Sequence, residues 1–338
     1  MQCLVEVLGE DRNVDLKLVA QFFVADHHGT VFPALTIHPF DQLAAAGRPE
    51  LHQQLSVTWL RYARPLRQRG VSASDAAGFW AEPVRGASWR GDQPRYPASV
   101  VKLLYLVAAE AWLQHQRIAD SPELRRALAD MIRDSSNDAT AMVVDLLSGT
   151  GSGPELPPAA FSRWSRQRQL VNRWAAGLNW PEWSGCNACQ KTWSEGPYGR
   201  ERQFYGAEQN NRNRLSTDLT ARLLHAVMAG AMVSPPADRR MQDLLERSID
   251  PALRATDPEN QVDGFLGGGL VAGDRLWSKA GWMSQARHDA AYVEPLNGDP
   301  FLLVAFSEGQ SCAGDEQLLP DLCRLLSPDN SAEGSAQP

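Results

Sequence analysis

Ser99-Val100-Val101-Lys102 opens the most apolar run of the sequence, residues 99–113. On a helix, a three-residue spacing puts the serine hydroxyl and the lysine ammonium on one face. A serine hydroxyl is a poor nucleophile until a base takes its proton, and a lysine desolvated by an apolar helix has its pKa lowered toward that task. The start of a helix also favours negative charge developing beside it. With 24 Ser and four Lys in 338 residues, random placement gives about 0.3 such tetrads. Alone the tetrad is therefore weak, and the bland alternative is a surface lysine one turn after a helix cap.

Two further groups follow in chain order, Ser135-Ser136-Asn137 and the strand-like Trp277-Ser278-Lys279-Ala280-Gly281-Trp282, so two of the four lysines fall in the three groups. Together they resemble the Ser-x-x-Lys, Ser-x-Asn and Lys-Thr-Gly set of the penicillin-recognising serine hydrolases, that is, the class A β-lactamases and the penicillin-binding D-Ala-D-Ala peptidases. The segment Arg95-Tyr96-Pro97-Ala98 leading into Ser99, and the continuation Asp138-Ala139-Thr140, are similar to that family as well. The likeness spans about residues 78–307. It implies an α+β fold in which an antiparallel sheet flanked by helices meets an all-helical lobe, with the reactive centre between them and no cofactor.

Carried over by position, the resemblance implies Ser99 as the acylated nucleophile and Lys102 as its base or proton relay. Ser135 would pass a proton to the leaving nitrogen, Asn137 would bond the substrate amide, and Lys279 would supply positive charge near Ser135 and a substrate carboxylate. The N–H groups of Ser99 and Trp282 would form an oxyanion hole, where such donors are worth about 3 to 4 kcal/mol each. Small Ala280 and Gly281 suggest a strand edge open to close approach by a ligand backbone. Three departures stand out. Ala280 replaces the usual Thr or Ser, removing a hydroxyl for the carboxylate, and Arg287 is the candidate replacement. Ser136 stands where class A enzymes carry Asp. No Glu-x-x-Leu-Asn occurs between 150 and 216, where the acids are Glu155, Glu182, Glu195, Glu201 and Glu208, so slow deacylation is expected; general-base help is worth about a hundred- to ten-thousand-fold.

The elements that must position these residues are partly legible. Strand-like runs are expected at 18–24, 30–37 and 78–84, and an amphipathic helix over 49–68. Helices are expected from 99, from Ser121-Pro122 to about 133, over 138–147, from Ser216-Thr217-Asp218 through 228, over 236–249 and over 316–326. Strands are expected at 275–282, 289–293 and 301–307. The Gly/Ser/Pro-rich stretch 148–158 reads as a break. Residues 161–205 hold five of the eleven tryptophans (Trp164, Trp174, Trp180, Trp183, Trp193) and read as core filling in preference to an aromatic substrate wall. Gly267-Gly268-Gly269 reads as a turn and not a phosphate loop. The expected organisation is one discontinuous lobe from 1–98 with 216–327, a helical lobe over 99–215 and a disordered tail over 328–338.

Composition sets the remaining bounds. With 33 Lys plus Arg against 40 Asp plus Glu, net −7, the chain lacks the basic field that a nucleic-acid binder needs. At 43% hydrophobic and 22% charged residues it is neither collagen-like, coiled coil nor wholly disordered. No apolar run reaches the roughly 18 to 20 residues of a membrane span. The opening residues, with Glu6, Glu10 and Asp11 and no leading Lys or Arg, read as cytoplasmic. Five cysteines (Cys3, Cys186, Cys189, Cys312, Cys323) form no disulfide framework by count, and Cys186-x-x-Cys189 lacks the second ligand pair that zinc needs, so no metal is expected. His27, His28, His225 and His288 show no metal spacing; His288 reads as solvated surface, with substrate contact as its functional alternative. The expected partner is a small-molecule or peptide-like amide substrate, with no nucleic acid and no membrane, and the oligomeric state is left open. Three readings compete: a serine hydrolase acylated at Ser99 by an amide, β-lactam or ester; a non-catalytic relative that keeps the pocket for binding; and an adaptor in which the three groups are accidental.

Overall fold

The computed structural model describes residues 43–44, 46–48, 51–68 and 85–327. The runs expected at 18–24, 30–37 and 78–84, and the tail 328–338, lie outside the described residues. In chain order the elements are α1 (Leu51–Gln54), β1 (Leu55–Arg61) and β2 (Arg85–Trp89). A single 3-10 turn (Ala98–Val100) runs into α2 (Val101–Gln114). Then come α3 (Pro122–Arg133), α4 (Asn137–Ser148), α5 (Pro158–Arg168), α6 (Leu170–Ala176) and α7 (Gly199–Tyr205). They are followed by α8 (Thr217–Met228), α9 (Pro235–Leu245), β3 (Glu246–Arg247) and α10 (Pro251–Arg254). The chain closes with β4 (Arg275–Met283), β5 (Ala286–Glu294), β6 (Phe301–Glu308), α11 (Gln310–Gly314) and α12 (Leu318–Leu326).

The strands form one antiparallel sheet in the order β2-β1-β6-β5-β4-β3. Period-2 alternation divides its side chains between two cores. Leu60, Trp277, Ala290, Tyr292, Leu302, Val304 and Phe306 pack with the helical layer of α2, α3, α4, α8 and α9. Leu55, Val57, Leu276, Ala291, Val293, Leu303 and Ala305 pack with α12 on the other face. Lys279 and Gly281 keep the parity of Trp277 and so face the helical layer. Helix α2 is buried from Val101 to Trp112 on all sides, as expected of an apolar helix enclosed in a core. Each fully buried aliphatic side chain contributes about 1.5 to 3 kcal/mol, so Lys102 is mounted on a platform that is costly to move.

Two expectations are corrected. The run 49–68 is helical only over Leu51–Gln54, becomes β1, and ends in a 3-10 turn at Leu66–Gln68. β1 is buried on both faces, so its sequence loses the polar alternation that marks a half-exposed strand, while Val57, Thr58 and Trp59 carry the strand preference. The helix expected over 236–249 stops at Leu245, where the chain turns extended to pair Glu246 and Arg247 with Trp277 and Leu276. The expected caps are present: Ser121 and Ser216 accept hydrogen bonds from the N–H groups of Leu124 and Leu219. Among the described residues no helix is long and apolar enough to cross a membrane.

Candidate active site

The turn carrying Ser99 is tied down on three sides. Arg95 donates to Ser56 Oγ and to the Gln53 carbonyl and pairs with Glu308, and its backbone bridges to Leu215. His288 on β5 is fully buried, and its Nε2 lies 2.8 Å from the Tyr96 carbonyl while its Nδ1 accepts from Ser307 N–H at 3.0 Å. The tautomer is thereby set: the proton sits on Nε2 and is donated to Tyr96. Burial lowers the His288 pKa to about 4, so the ring is neutral. This corrects the surface reading of His288, whose ring is spent holding the main chain three residues before Ser99. On the third side, a Cβ built on Gly281 would lie 2.9 Å from both the Pro97 carbonyl and the Ser99 N–H nitrogen. Only glycine lets β4 approach the turn this closely. Ala98 has φ +45°, a costly backbone conformation for a non-glycine that the surrounding contacts impose.

Ser136 caps α4 through its Oγ, which accepts from Ala139 N–H at 3.1 Å. That cap aims the residues on either side of it. Lys102 donates to the Ser135 carbonyl (2.5 Å), to Asn137 Oδ1 (2.9 Å) and to Ser135 Oγ (3.2 Å). From β4, Lys279 donates to the same Ser135 Oγ at 3.0 Å. Ser135, at φ +56°, thus holds its hydroxyl between the Nζ atoms of two lysines. Desolvation lowers Lys102 to about 7. Lys279 is pushed well down by burial first, then by the charges of Lys102 and Arg247, with Asp289 opposing. Among the described residues no carboxylate hydrogen-bonds to either lysine, and none bonds to Ser99 Oγ.

The structure therefore joins Lys102, Ser135, Asn137 and Lys279 in one hydrogen-bonded cluster where α2, the α3–α4 turn and β4 meet, with the Ser99 main chain packed against Gly281 beside it. It uses Ala280 and Gly281 differently from the expectation of an open strand edge. Ala280 N–H donates to Gln261 Oε1 (3.1 Å) and its carbonyl accepts from Lys279 (2.7 Å), while the space at Gly281 is filled by the Ser99 turn. The outward edge that is left begins at Trp282, whose peptide groups share the direction of those of Ala280 by strand periodicity. The Trp282 indole is 59% exposed and donates to the Ala313 carbonyl. Arg287, the cross-strand partner of Trp282 on β5, lies with it on the face of the sheet away from Lys279. Its guanidinium donates to the carbonyls of Ala313 and Gly264 and lies 3.8 Å from Glu316.

Among the acids of the 150–216 stretch, Glu201 is buried against Arg168, Glu182 pairs with Arg222, and Glu155, Glu195 and Glu208 are exposed; Glu195 follows Ser194, whose Oγ accepts from Asn137 Nδ2 at 3.5 Å. Trp164 packs edge-on to Phe204 and under Arg168, and Trp174 packs edge-on to Trp112, both as core. Cys189 is pushed up to about 12 by burial; among the described residues no cluster of three His, Cys, Asp or Glu forms a metal site. Sequence reasoning missed Gln261 and Arg247, which hold the site from behind. Neither lies in a motif, and no local pattern marks them.

An antiparallel sheet carrying a Lys-x-Gly strand against a helix that bears Ser-x-x-Lys is the β-lactamase-like fold. Solved structures agree. A β-lactamase from Sphaerobacter thermophilus DSM 20745 is similar at TM-score 0.57 and 16% identity, covering 89% of this chain and 98% of its own. A mutant of PBP-A, captured as an acyl-enzyme complex with penicillin G, is similar at 0.55 and 17%, covering 88% and 97%. A mutant of the class A β-lactamase of the last common ancestor of Gram-negative bacteria is similar at 0.54 and 18%, covering 88% and 100%. No curated protein sequence matches the chain. The chain belongs to the beta-lactamase enzyme family, whose model matches residues 111–327, a span that includes Ser135 and Lys279 and begins after Lys102.

Proposed function

We propose that the protein is a serine hydrolase acylated at Ser99 by an amide, ester or β-lactam carbonyl, and that it releases the acyl group slowly. The observation that carries this reading is the convergence of Lys102 and Lys279 on Ser135 Oγ beside the strained Ser99 turn. A proton leaving Ser99 has a neutral amine to receive it when Lys102 is deprotonated, and Ser135 then has a hydroxyl to pass a proton to the leaving nitrogen. The Ser99 and Trp282 N–H groups serve as the oxyanion donors, and the free edge at Trp282 accepts the substrate amide. Slow release follows because, among the described residues, no carboxylate hydrogen-bonds to Lys102, Lys279 or Ser99 to hold a water for attack.

A chromogenic β-lactam in stopped flow tests the reading. The expected trace is a burst of one product equivalent per protein followed by turnover at least tenfold slower. A linear trace of fast turnover would refute slow release, and no reaction with β-lactam, thioester or ester substrates would refute the hydrolase reading.

A further inference from the structure

Gln261 lies in the loop between α10 and β4 and is 5% exposed. Its Nε2 donates to the carbonyls of Ile132 (2.9 Å) and Arg133 (2.6 Å). Its Oε1 accepts from Lys279 Nζ (2.5 Å) and Ala280 N–H (3.1 Å). Two donors and two acceptor positions are thus all used. A flipped amide would set NH2 against two donors and C=O against two carbonyls, so the orientation is not in question. The two carbonyls belong to the last turn of α3, which lacks intrahelical partners for them. Arg247 donates to the same pair and to the Ser278 carbonyl. Two residues beyond Arg133 comes Ser135.

We propose that Gln261 is a positioning residue that fixes Lys279 as a hydrogen-bond donor to Ser135 and clamps the Ser135 turn to strand β4. The proposal rests on the serine hydrolase reading for its consequence, not for its geometry. The three N–H bonds of a Lys279 ammonium go to three neutral oxygens: Gln261 Oε1, the Ala280 carbonyl and Ser135 Oγ. With Lys279 donating to Ser135 Oγ, the Ser135 proton is turned away toward the substrate side. The charged groups acting on Lys279 are Lys102 from α2, Arg247 from β3 and Asp289 from β5. The Asp289 carboxylate is occupied by the N–H groups of Leu266 and Ala290. The amide oxygen is therefore one of three neutral acceptors that favour the protonated form of Lys279 against burial and two like charges. Acceptors favour the charged form, so removing this one moves Lys279 deprotonation to lower pH.

The four lysines of the chain, Lys17, Lys102, Lys191 and Lys279, make a direct reading practical. Full-length protein labelled with 13C/15N-lysine is titrated by NMR, with Lys279 assigned from a Lys279→Arg spectrum. Gln261→Met, nearly isosteric and without hydrogen bonds, is expected to lower the Lys279 midpoint by a unit or more, about a tenfold loss of the protonated form. The alkaline limb of acylation by a fluorescent penicillin is expected to move down with it. Gln261→Glu is expected to raise the midpoint, and it keeps the test decisive if Gln261→Met does not fold. A Lys279 midpoint unchanged in a folded variant overturns the proposal. Absence of acylation in the parent overturns the hydrolase reading instead, and the lysine titration still decides the role of Gln261.

Discussion

In the proposed mechanism Lys102 sets the pH at which the centre becomes reactive. It is fully buried among α2 neighbours, its acceptors are neutral oxygens, and desolvation lowers it to about 7. Lys279 shares Ser135 Oγ with it and is itself pushed well down by burial and by the charge of Lys102, so the two titrations are coupled. With Lys102 near 7, its deprotonated fraction is roughly 1% at pH 5, 10% at pH 6 and 90% at pH 8. The acylation rate constant for a fluorescent penicillin is therefore expected to climb tenfold per pH unit up to about pH 6 and to level off by about pH 8, before the alkaline fall that deprotonation of Lys279 brings. The assay is pseudo-first-order labelling quenched at intervals from pH 5 to pH 10. Lys102→Arg keeps the charge but cannot give up its proton near neutrality, and is expected to lower the plateau rate above pH 8 by about a hundred- to ten-thousand-fold. A rate that keeps rising tenfold per unit through pH 9 would place the base at an ordinary lysine pKa and refute the burial argument. So would a Lys102→Arg protein that labels at the parental rate.

Further outcomes follow from the anchoring of the Ser99 turn. Gly281→Ala puts a Cβ 2.9 Å from the Pro97 carbonyl and the Ser99 nitrogen; acylation is expected to fall about a hundredfold, the scale of an ångström displacement at a reacting centre, and unchanged labelling kinetics would contradict the packing described. Burial holds the His288 pKa at about 4 against an ordinary 6.5. Between those values the unfolded chain binds a proton that the folded one does not, so stability falls as pH drops through that window. In His288→Gln the difference in unfolding free energy between pH 7 and pH 4.5, measured with urea, is expected to be about 2 kcal/mol smaller than in the parent. An equal difference would mean that the ring is not held neutral.

The residues proposed to carry the chemistry were legible as candidates because each sits in a short motif whose spacing is set by one helix or one strand: Ser99 with Lys102, Ser135 with Asn137, and Lys279 with Gly281. The strands β4, β5 and β6 and the caps at Ser121 and Ser216 were legible from alternation and from capping side chains. β1 was not, because helices cover both faces of the sheet and the strand carries apolar residues on each. His288 was misread for a related reason: whether an imidazole meets water or the Tyr96 carbonyl depends on a partner 192 residues away in the chain. Gln261 is the same case, an amide whose partners lie on α3 and β4 and whose neighbours in sequence say nothing of either. The role expected of Gly281 changed for a simpler reason. A missing Cβ announces close approach but not by whom, and here the approaching backbone is the protein's own Ser99 turn.

Covalent capture at Ser99 is the point on which the account stands. The most direct measurement is intact-mass and peptide-mapping mass spectrometry of the full-length protein after incubation with penicillin G at several times. The expected result is one adduct of the full antibiotic mass, placed on the peptide containing Ser99, persisting as hydrolysis lags and absent from Ser99→Ala. An adduct that survives Ser99→Ala would contradict the account, as would a parent protein that binds the antibiotic without ever gaining its mass.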